Sequence, residues 1–314
     1  MSSLPLVIVL GATGRTGKVI IDALLESGNF RVGAITRTVS VSRPEVEALR
    51  VKGVEIRAAD ISSDGVETLK ETLSGAEVLI SAVSGVVISD QKSIIAAAKE
   101  AGVKRVIPCD FGTPGSRGVR ELHDSKLDIR EYIQKLGIGY TFIDVGWWMQ
   151  LTIVGTDTHP SFVGPRSHEI YGAGDKKLLL TDLNHIGRFV AKIVIDKRAL
   201  NQYVIVWEDE KTFLEAKEIS ERVSGEGETL KAKRSYISRD EVIQRGEIGR
   251  ANEKPNDEAS YYPRIISEYI ISLHFLGENS LENAKALGAL DAKELYPDVA
   301  TNSFEEYASK FYSS

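Results

Sequence analysis

Three glycines in a seven-residue turn, Gly11-Ala12-Thr13-Gly14-Arg15-Thr16-Gly17, follow the apolar run Leu6 to Leu10 and precede a stretch with Val19, Ile20, Leu24 and Leu25 at helical spacing. Between a buried strand and a helix this pattern has a specific use. Glycine allows a sharp turn and lets a diphosphate approach the backbone, while the free amides and positive end of the next helix attract its charge. Gly11, Gly14 and Gly17 therefore read as the phosphate turn of a dinucleotide site, with Thr13, Arg15 and Thr16 adding contacts.

The end of the second strand, about 20 residues past such a turn, is where an acid grips an unphosphorylated ribose. Here it reads Ile35-Thr36-Arg37, and from Arg31 to Pro44 the chain has no Asp or Glu but carries Arg37 and Arg43. A guanidinium pair there can neutralise a ribose phosphate, so the expected cofactor is NADPH or NADP+ rather than NAD. Ser84 and Gly85, past the fourth strand, and Cys109 and Phe111, past the fifth, complete the expected cofactor contacts.

Proton chemistry needs a separate group. A Tyr four residues before a Lys, the pair of the short-chain alcohol dehydrogenases, is absent at all 11 tyrosines. The candidate is Lys126, expected in the first turn of a helix from Asp124 to Leu136 that buries Ile129 and Ile133. There the helix dipole would disfavour its cation slightly and burial would disfavour it more; alternatively it stays charged and donates as hydride arrives. His123 is expected near the pocket or at the helix start, and Trp147 and Trp148 either flank a planar ligand or pack the domain junction. The five histidines show no metal-ligand spacing, so no metal is expected. Cys109 reads as packing rather than as a redox thiol.

These residues need a scaffold of parallel strands. β-Branched runs at Leu6–Leu10, Arg31–Ile35, Val54–Ala58, Val78–Val83, Lys104–Pro108 and Tyr140–Asp144 alternate with amphipathic stretches, each with a polar residue placed to cap it. Apolar strands linked by long crossovers imply an α/β, doubly wound parallel sheet. The expected division is a Rossmann-type domain over residues 1–150, with segments near 180–207 returning to it, and a smaller, mostly helical substrate domain over 151–314. Leu151 to Asp175 reads as irregular, a helix is expected from Asn184 to Ile195 and a strand from Tyr203 to Val206. Thr212 with Glu215, Ser238 with Glu241 and Ser303 with Glu306 read as capping boxes.

Composition excludes other classes. A net charge of −6 argues against a nucleic-acid partner. The single cysteine forbids an internal disulfide, and no leader or membrane span is visible, so the expected location is the cytoplasm.

The turn spacing Gly-x-x-Gly-x-x-Gly points to extended or atypical short-chain reductases. Together with Val78-Leu79-Ile80-Ser81, Gln91 through Ile94 to Arg105, Lys126 with Ile129-Arg130, Gly137 to Thr141, Tyr171 to Gly174, Asp182 through Ile186-Gly187 and Leu200-Asn201, it resembles the isoflavone-reductase-like group across nearly the whole chain. That group includes phenylcoumaran benzylic ether and pinoresinol-lariciresinol reductases among the NmrA-like proteins. The resemblance implies that Lys126 is catalytic and that NADPH delivers hydride to an aromatic, conjugated or benzylic small molecule. A homodimer is left open. Where the group reads Pro-Ser-Glu-Phe-Gly, this chain reads Pro108-Cys109-Asp110-Phe111-Gly112, keeping the loop with altered side chains. The rival from another class is a non-enzymatic NmrA-type NADP(H) sensor, expected to lack a lysine at position 126; a sugar-nucleotide epimerase is disfavoured by the missing Tyr/Lys pair.

Overall fold

The computed structural model describes residues 4–255 and 257–314. Met1, Ser2 and Ser3, part of the segment read as carrying no leader, lie outside the described residues.

The chain divides into two compact units. The first takes the described residues up to Phe111, then Ser125–Asp144 and Asn184–Val204. The second takes Gly112–Asp124, Val145–Leu183 and the described residues from Ile205 on. Asn184–Val204 thus belongs to the first unit and Gly112–Asp124 to the second, and the two units are of similar size.

The first unit alternates strands and helices in the order β1 (Leu6–Leu10), α1 (Arg15–Ser27), β2 (Arg31–Thr36), α2 (Pro44–Val51), β3 (Glu55–Ala58), α3 (Val66–Thr72), β4 (Ala76–Ser81), α4 (Gln91–Glu100) and β5 (Arg105–Ile107). α5 (Glu121–Leu136) and β6 (Thr141–Val145) follow. Five strands pair in parallel in the order β3-β2-β1-β4-β5. The order reverses between β1 and β4, which opens a crevice at their carboxyl ends where a ligand can sit. Every residue of β1 is buried, as a strand covered on both faces requires. β6 does not extend this ladder: a single bridge joins Val106 to Tyr140, and β6 lies beside Gln202–Val206 in a separate sheet. The helix Ile186–Ile193 returns to pack on α1, so closely that a methyl group on Gly187 would lie 2.0 Å from the Val19 carbonyl oxygen.

The second unit is not wholly helical. Lys177–Thr181 pairs with Asp209–Thr212 and with Trp147–Trp148, and Glu169–Tyr171 pairs with Ser235–Ile237. Helices Phe213–Ser224, Arg239–Ala251, Glu258–Ile270 and Phe304–Tyr312 surround a core that includes Met149, Leu178, Phe213, Leu273 and Phe304. The stretch read as irregular, Leu151 to Asp175, opens within the short helix Met149–Thr152 and holds a 3-10 turn, Gly164–His168, and the strand Glu169–Tyr171.

Caps account for the other departures. Thr212 and Ser303 form complete capping boxes, but Ser238 accepts only the Glu241 amide, because the Glu241 carboxylate is drawn to Arg245 at 2.7 Å. α1 is capped by Gly14 without a side chain, and Asp90 before α4 accepts from the Ser62 hydroxyl instead of capping. The C-terminal expectations shift by a residue or two, with the Asn184 helix running Ile186–Ile193 after a 3-10 turn over Leu183–His185.

Candidate functional site

The glycine turn sits at the β1–β4 crevice, and each glycine has its own steric reason. Gly11 has a φ of +79°, and a methyl group there would lie 2.4 Å from the Ala82 carbonyl oxygen at the end of β4. A methyl on Gly17 would lie 2.1 Å from the Gly11 carbonyl oxygen, so this glycine lets α1 close onto the turn. Gly14 is different. It is exposed, its amide donates to the Gly11 carbonyl at 3.0 Å, and an added methyl would lie 3.3 Å from the Gly11 carbonyl oxygen, a tight contact rather than a clash. That is the cradle a diphosphate needs: backbone close enough to touch, next to first-turn amides with no intrahelical acceptor. No acid occupies the first turn of α1 to compete with an anion. Thr13 and Arg15 are exposed beside it and Thr16 is half-buried. Ser84 and Gly85 start the 3-10 turn after β4, on the neighbouring strand of the crevice.

Arg37 follows β2, and Arg43 precedes α2. Both are exposed, and neither forms an ion pair among the described residues. The cradle and the two uncommitted guanidiniums between β2 and α2 fit a dinucleotide bearing a ribose phosphate.

The loop after β5 carries the second half of the site. Cys109 is buried, its amide donates to Gln91 Oε1 at 2.9 Å and its thiol to the Val83 carbonyl at 3.1 Å. Burial pushes its pKa up to about 11, so the thiolate needed for redox chemistry is suppressed. Phe111 is buried with a φ of +30°, rare for a residue with a side chain, and its amide donates to the Ile143 carbonyl at 2.9 Å.

Lys126 is buried, and its Nζ donates to the main-chain carbonyl of Asp110. Its place on the helix differs from the expectation. α5 begins at Glu121, so Lys126 lies in the second turn, where the dipole has largely decayed, and the first-turn argument for tuning it does not hold. The carboxylate of Asp110 is bound by Arg130, Nε to Oδ2 at 3.0 Å, and Arg130 Nη2 reaches Asp144 Oδ1 at 2.7 Å. Burial raises the Asp110 carboxyl above the usual carboxylate range, outweighing Arg130. Tyr203 donates its hydroxyl to Asp144 Oδ2 at 2.7 Å. Asp110, Asp144, Tyr203 and Gln91 are structural members of this site that the sequence reading left unassigned. A carboxylate at the end of the apolar strand Tyr140-Thr141-Phe142-Ile143-Asp144 was the available signal, because a buried charge must find a partner.

The proposed pocket residues of the second unit are less committed to a ligand. The His123 ring is buried with Nε2 2.9 Å from the Gly115 carbonyl oxygen. Trp147 and Trp148 are half-buried on a two-residue strand, and Trp147 leans on Tyr269 with ring centroids 5.5 Å apart. Among the described residues no group of three or more His, Cys, Asp or Glu could hold a metal, and no helix is long and apolar enough to cross a membrane.

The chain resembles known proteins along its whole length. The NmrA-like family model matches residues 5–308. An asnovolin J 5',6'-dehydrogenase of Aspergillus novofumigatus is 32% identical, with 97% of this chain and 94% of that protein covered. An isoflavone reductase-like protein of Olea europaea is 27% identical over 97% of this chain and 98% of its own. Among solved structures, the binary complex of leucoanthocyanidin reductase with NADPH from Vitis vinifera superposes with a TM-score of 0.79 at 21% identity, covering 98% of this chain and 100% of that one. By its sequence and by a fold shared with these reductases, the chain belongs to the NmrA-like family.

Proposed function

We propose that this protein transfers hydride between NADPH and an aromatic, conjugated or benzylic small molecule, with Lys126 handling the proton. The chain is an NADPH-dependent oxidoreductase of the isoflavone-reductase-like kind. The observation that carries the reading is the coexistence of two features in the first unit: the exposed glycine turn at Gly14, with Gly11 and Gly17 too crowded for a side chain, and a buried lysine amine held on the Asp110 carbonyl after the fifth strand. A sensor needs only the first.

NADPH, when bound, supplies the hydride. Gly11, Gly14 and Gly17 seat its diphosphate with Thr13, Arg15 and Thr16 beside them, and Arg37 with Arg43 receives the ribose phosphate. Ser84, Gly85, Cys109 and Phe111 border the crevice beyond. Lys126 holds a proton at Nζ and releases it to the developing negative charge on the substrate, acting as a general acid, or takes one back in the reverse direction. His123, Trp147 and Trp148 are the substrate-side contacts of this reading. The relatives are named as reductases of leucoanthocyanidin or as isoflavone reductase-like, while the Aspergillus one is named a dehydrogenase of asnovolin J; we assign reduction to this chain. A reducing cytosol suits its single, buried thiol.

The test pairs NADPH oxidation across a panel of aromatic enones, quinones and benzylic ethers with Lys126→Ala. Turnover of at least one member by the wild type, lowered about 10²- to 10⁴-fold in the variant with NADPH affinity kept, is the expected result. Tight NADPH binding without turnover anywhere on the panel would move the assignment to the sensor, and full activity in Lys126→Ala would mean another proton donor.

A further inference from the structure

Asp110 is gripped at both ends by one face of α5. Lys126 and Arg130 stand four residues apart and so project from consecutive turns on the same side. Lys126 donates to the main-chain carbonyl of Asp110, while Arg130 binds its carboxylate at 3.0 Å. Arg130 is in turn fixed from three directions. It reaches Asp144 on β6 at 2.7 Å, and its guanidinium carbon lies 4.6 Å from the ring centroid of Tyr203 and 5.2 Å from that of Phe142. The side chains are buried, at 11% exposure for Arg130 and 1% for Asp110.

Two consequences follow from the geometry. The peptide after Asp110 is pinned on its far side as well, because Phe111 takes a φ of +30° and gives its amide to Ile143. With the carboxylate held by Arg130 and the next amide held by β6, the direction of the Asp110 carbonyl is set. The charges also need one another: two carboxylates face one guanidinium, and the ammonium of Lys126 is the cation that completes the balance. Resting on the assignment of Lys126 above, we propose that Arg130 is a positioning residue, which acts through Asp110 to hold the Lys126 amine in place for proton transfer without touching substrate or cofactor.

The first readout does not depend on turnover. Amine labelling with acetic anhydride, followed by peptide mass spectrometry, reports how firmly Lys126 is held; Lys217, buried in the other unit, is the internal control. Arg130→Met should raise the labelling rate of Lys126 at least about tenfold with Lys217 unchanged, and Arg130→Lys should restore part of the protection. In kinetics with the panel acceptor the wild type turns over best, Arg130→Met should lower kcat about 10- to 100-fold. The NADPH Kd should stay within about twofold, and Lys126→Ala with Arg130→Met should be no slower than Lys126→Ala alone, since one acts through the other. Should Arg130→Met fail to fold, Asp144→Asn removes one of the two anchors of the guanidinium and should give smaller changes of the same kind. Wild-type labelling and kcat in Arg130→Met, or in Asp144→Asn where that stands in, would overturn the proposal. If Lys126→Ala keeps full kcat, the functional assignment of Lys126 fails, and the labelling still decides whether Arg130 holds its amine.

Discussion

Each unit buries a cation, and the two do so in opposite ways. In the first, Arg130 lies between two carboxylates and two aromatic rings, with Nε on Asp110 and Nη2 on Asp144. In the second, Lys217 is buried more deeply still but donates to carbonyl oxygens, to Ser167 at 2.7 Å and Thr152 at 3.2 Å, above the face of Phe213. Its nearby acid Glu221 is taken by Arg234 at 2.6 Å. The lesson is about what each charge is for. A guanidinium set between carboxylates and rings stays charged and can hold a neighbouring amine still, whereas a cation satisfied only by carbonyls is a weak point that solvent pH can reach.

The largest expected difference is in stability at pH 8. Arg130→Met leaves two buried carboxylates without their cation and should cost about 3–5 kcal/mol, while Lys217→Met should cost only about 1–2 kcal/mol from two weakened carbonyl contacts. Hydrogen exchange, which reads each unit separately, checks both; equal losses would erase the contrast.

A smaller effect is the pH slope. Burial lowers the Lys217 pKa to about 7 from its usual 10.5, with Glu221 and Glu169 favouring the ammonium and Arg234 opposing it. Because the unfolded chain then binds more protons between about pH 7 and 10.5, Lys217 makes stability rise with pH across that window, by up to about 1.4 kcal/mol per unit. The difference between wild type and Lys217→Met, followed by denaturant unfolding from pH 7 to 9, should show this slope; parallel curves would refute it.

The smallest is His274. It is enclosed by Tyr171 and Phe213 at 4.9 and 4.3 Å, its Nδ1 has no hydrogen-bond partner, and burial lowers its pKa to about 3. His274→Phe should therefore be neutral or stabilising by up to about 1 kcal/mol near neutral pH, and should remove the part of the stability rise that lies between about pH 3 and 6.5. A loss in melting temperature would mean that the ring makes a contact the packing does not reveal.

How much of this could be read from residues alone depends on how local the determinant is. The glycine turn was legible because a strand, a turn and a helix lie within one short segment, and each glycine answers a backbone constraint inside it or on the next strand. The start of α5 was not, since nothing around Arg120-Glu121 caps it by type; Asp124, from which the helix was expected to run, accepts the Gly118 amide at 2.9 Å from within the helix. Ser238-x-x-Glu241 has the letters of a capping box, but a competing arginine one turn on takes the carboxylate, which spacing cannot show. The Arg130 cluster is the hardest case. Asp110, Arg130, Asp144 and Tyr203 come from four elements, and only their burial, invisible in a linear pattern, makes them one group.

The return of Ile186–Ile193 to α1 bears on how the molecule is made. Gly187 is shaped for contact with Val19, yet it leaves the ribosome far later. At roughly 5–20 residues per second, the flank of α1 that this helix covers waits on the order of ten seconds for its partner. The nascent nucleotide-binding unit is therefore an incomplete body through half of its synthesis, and a fragment ended at residue 150 would keep that unfinished surface permanently.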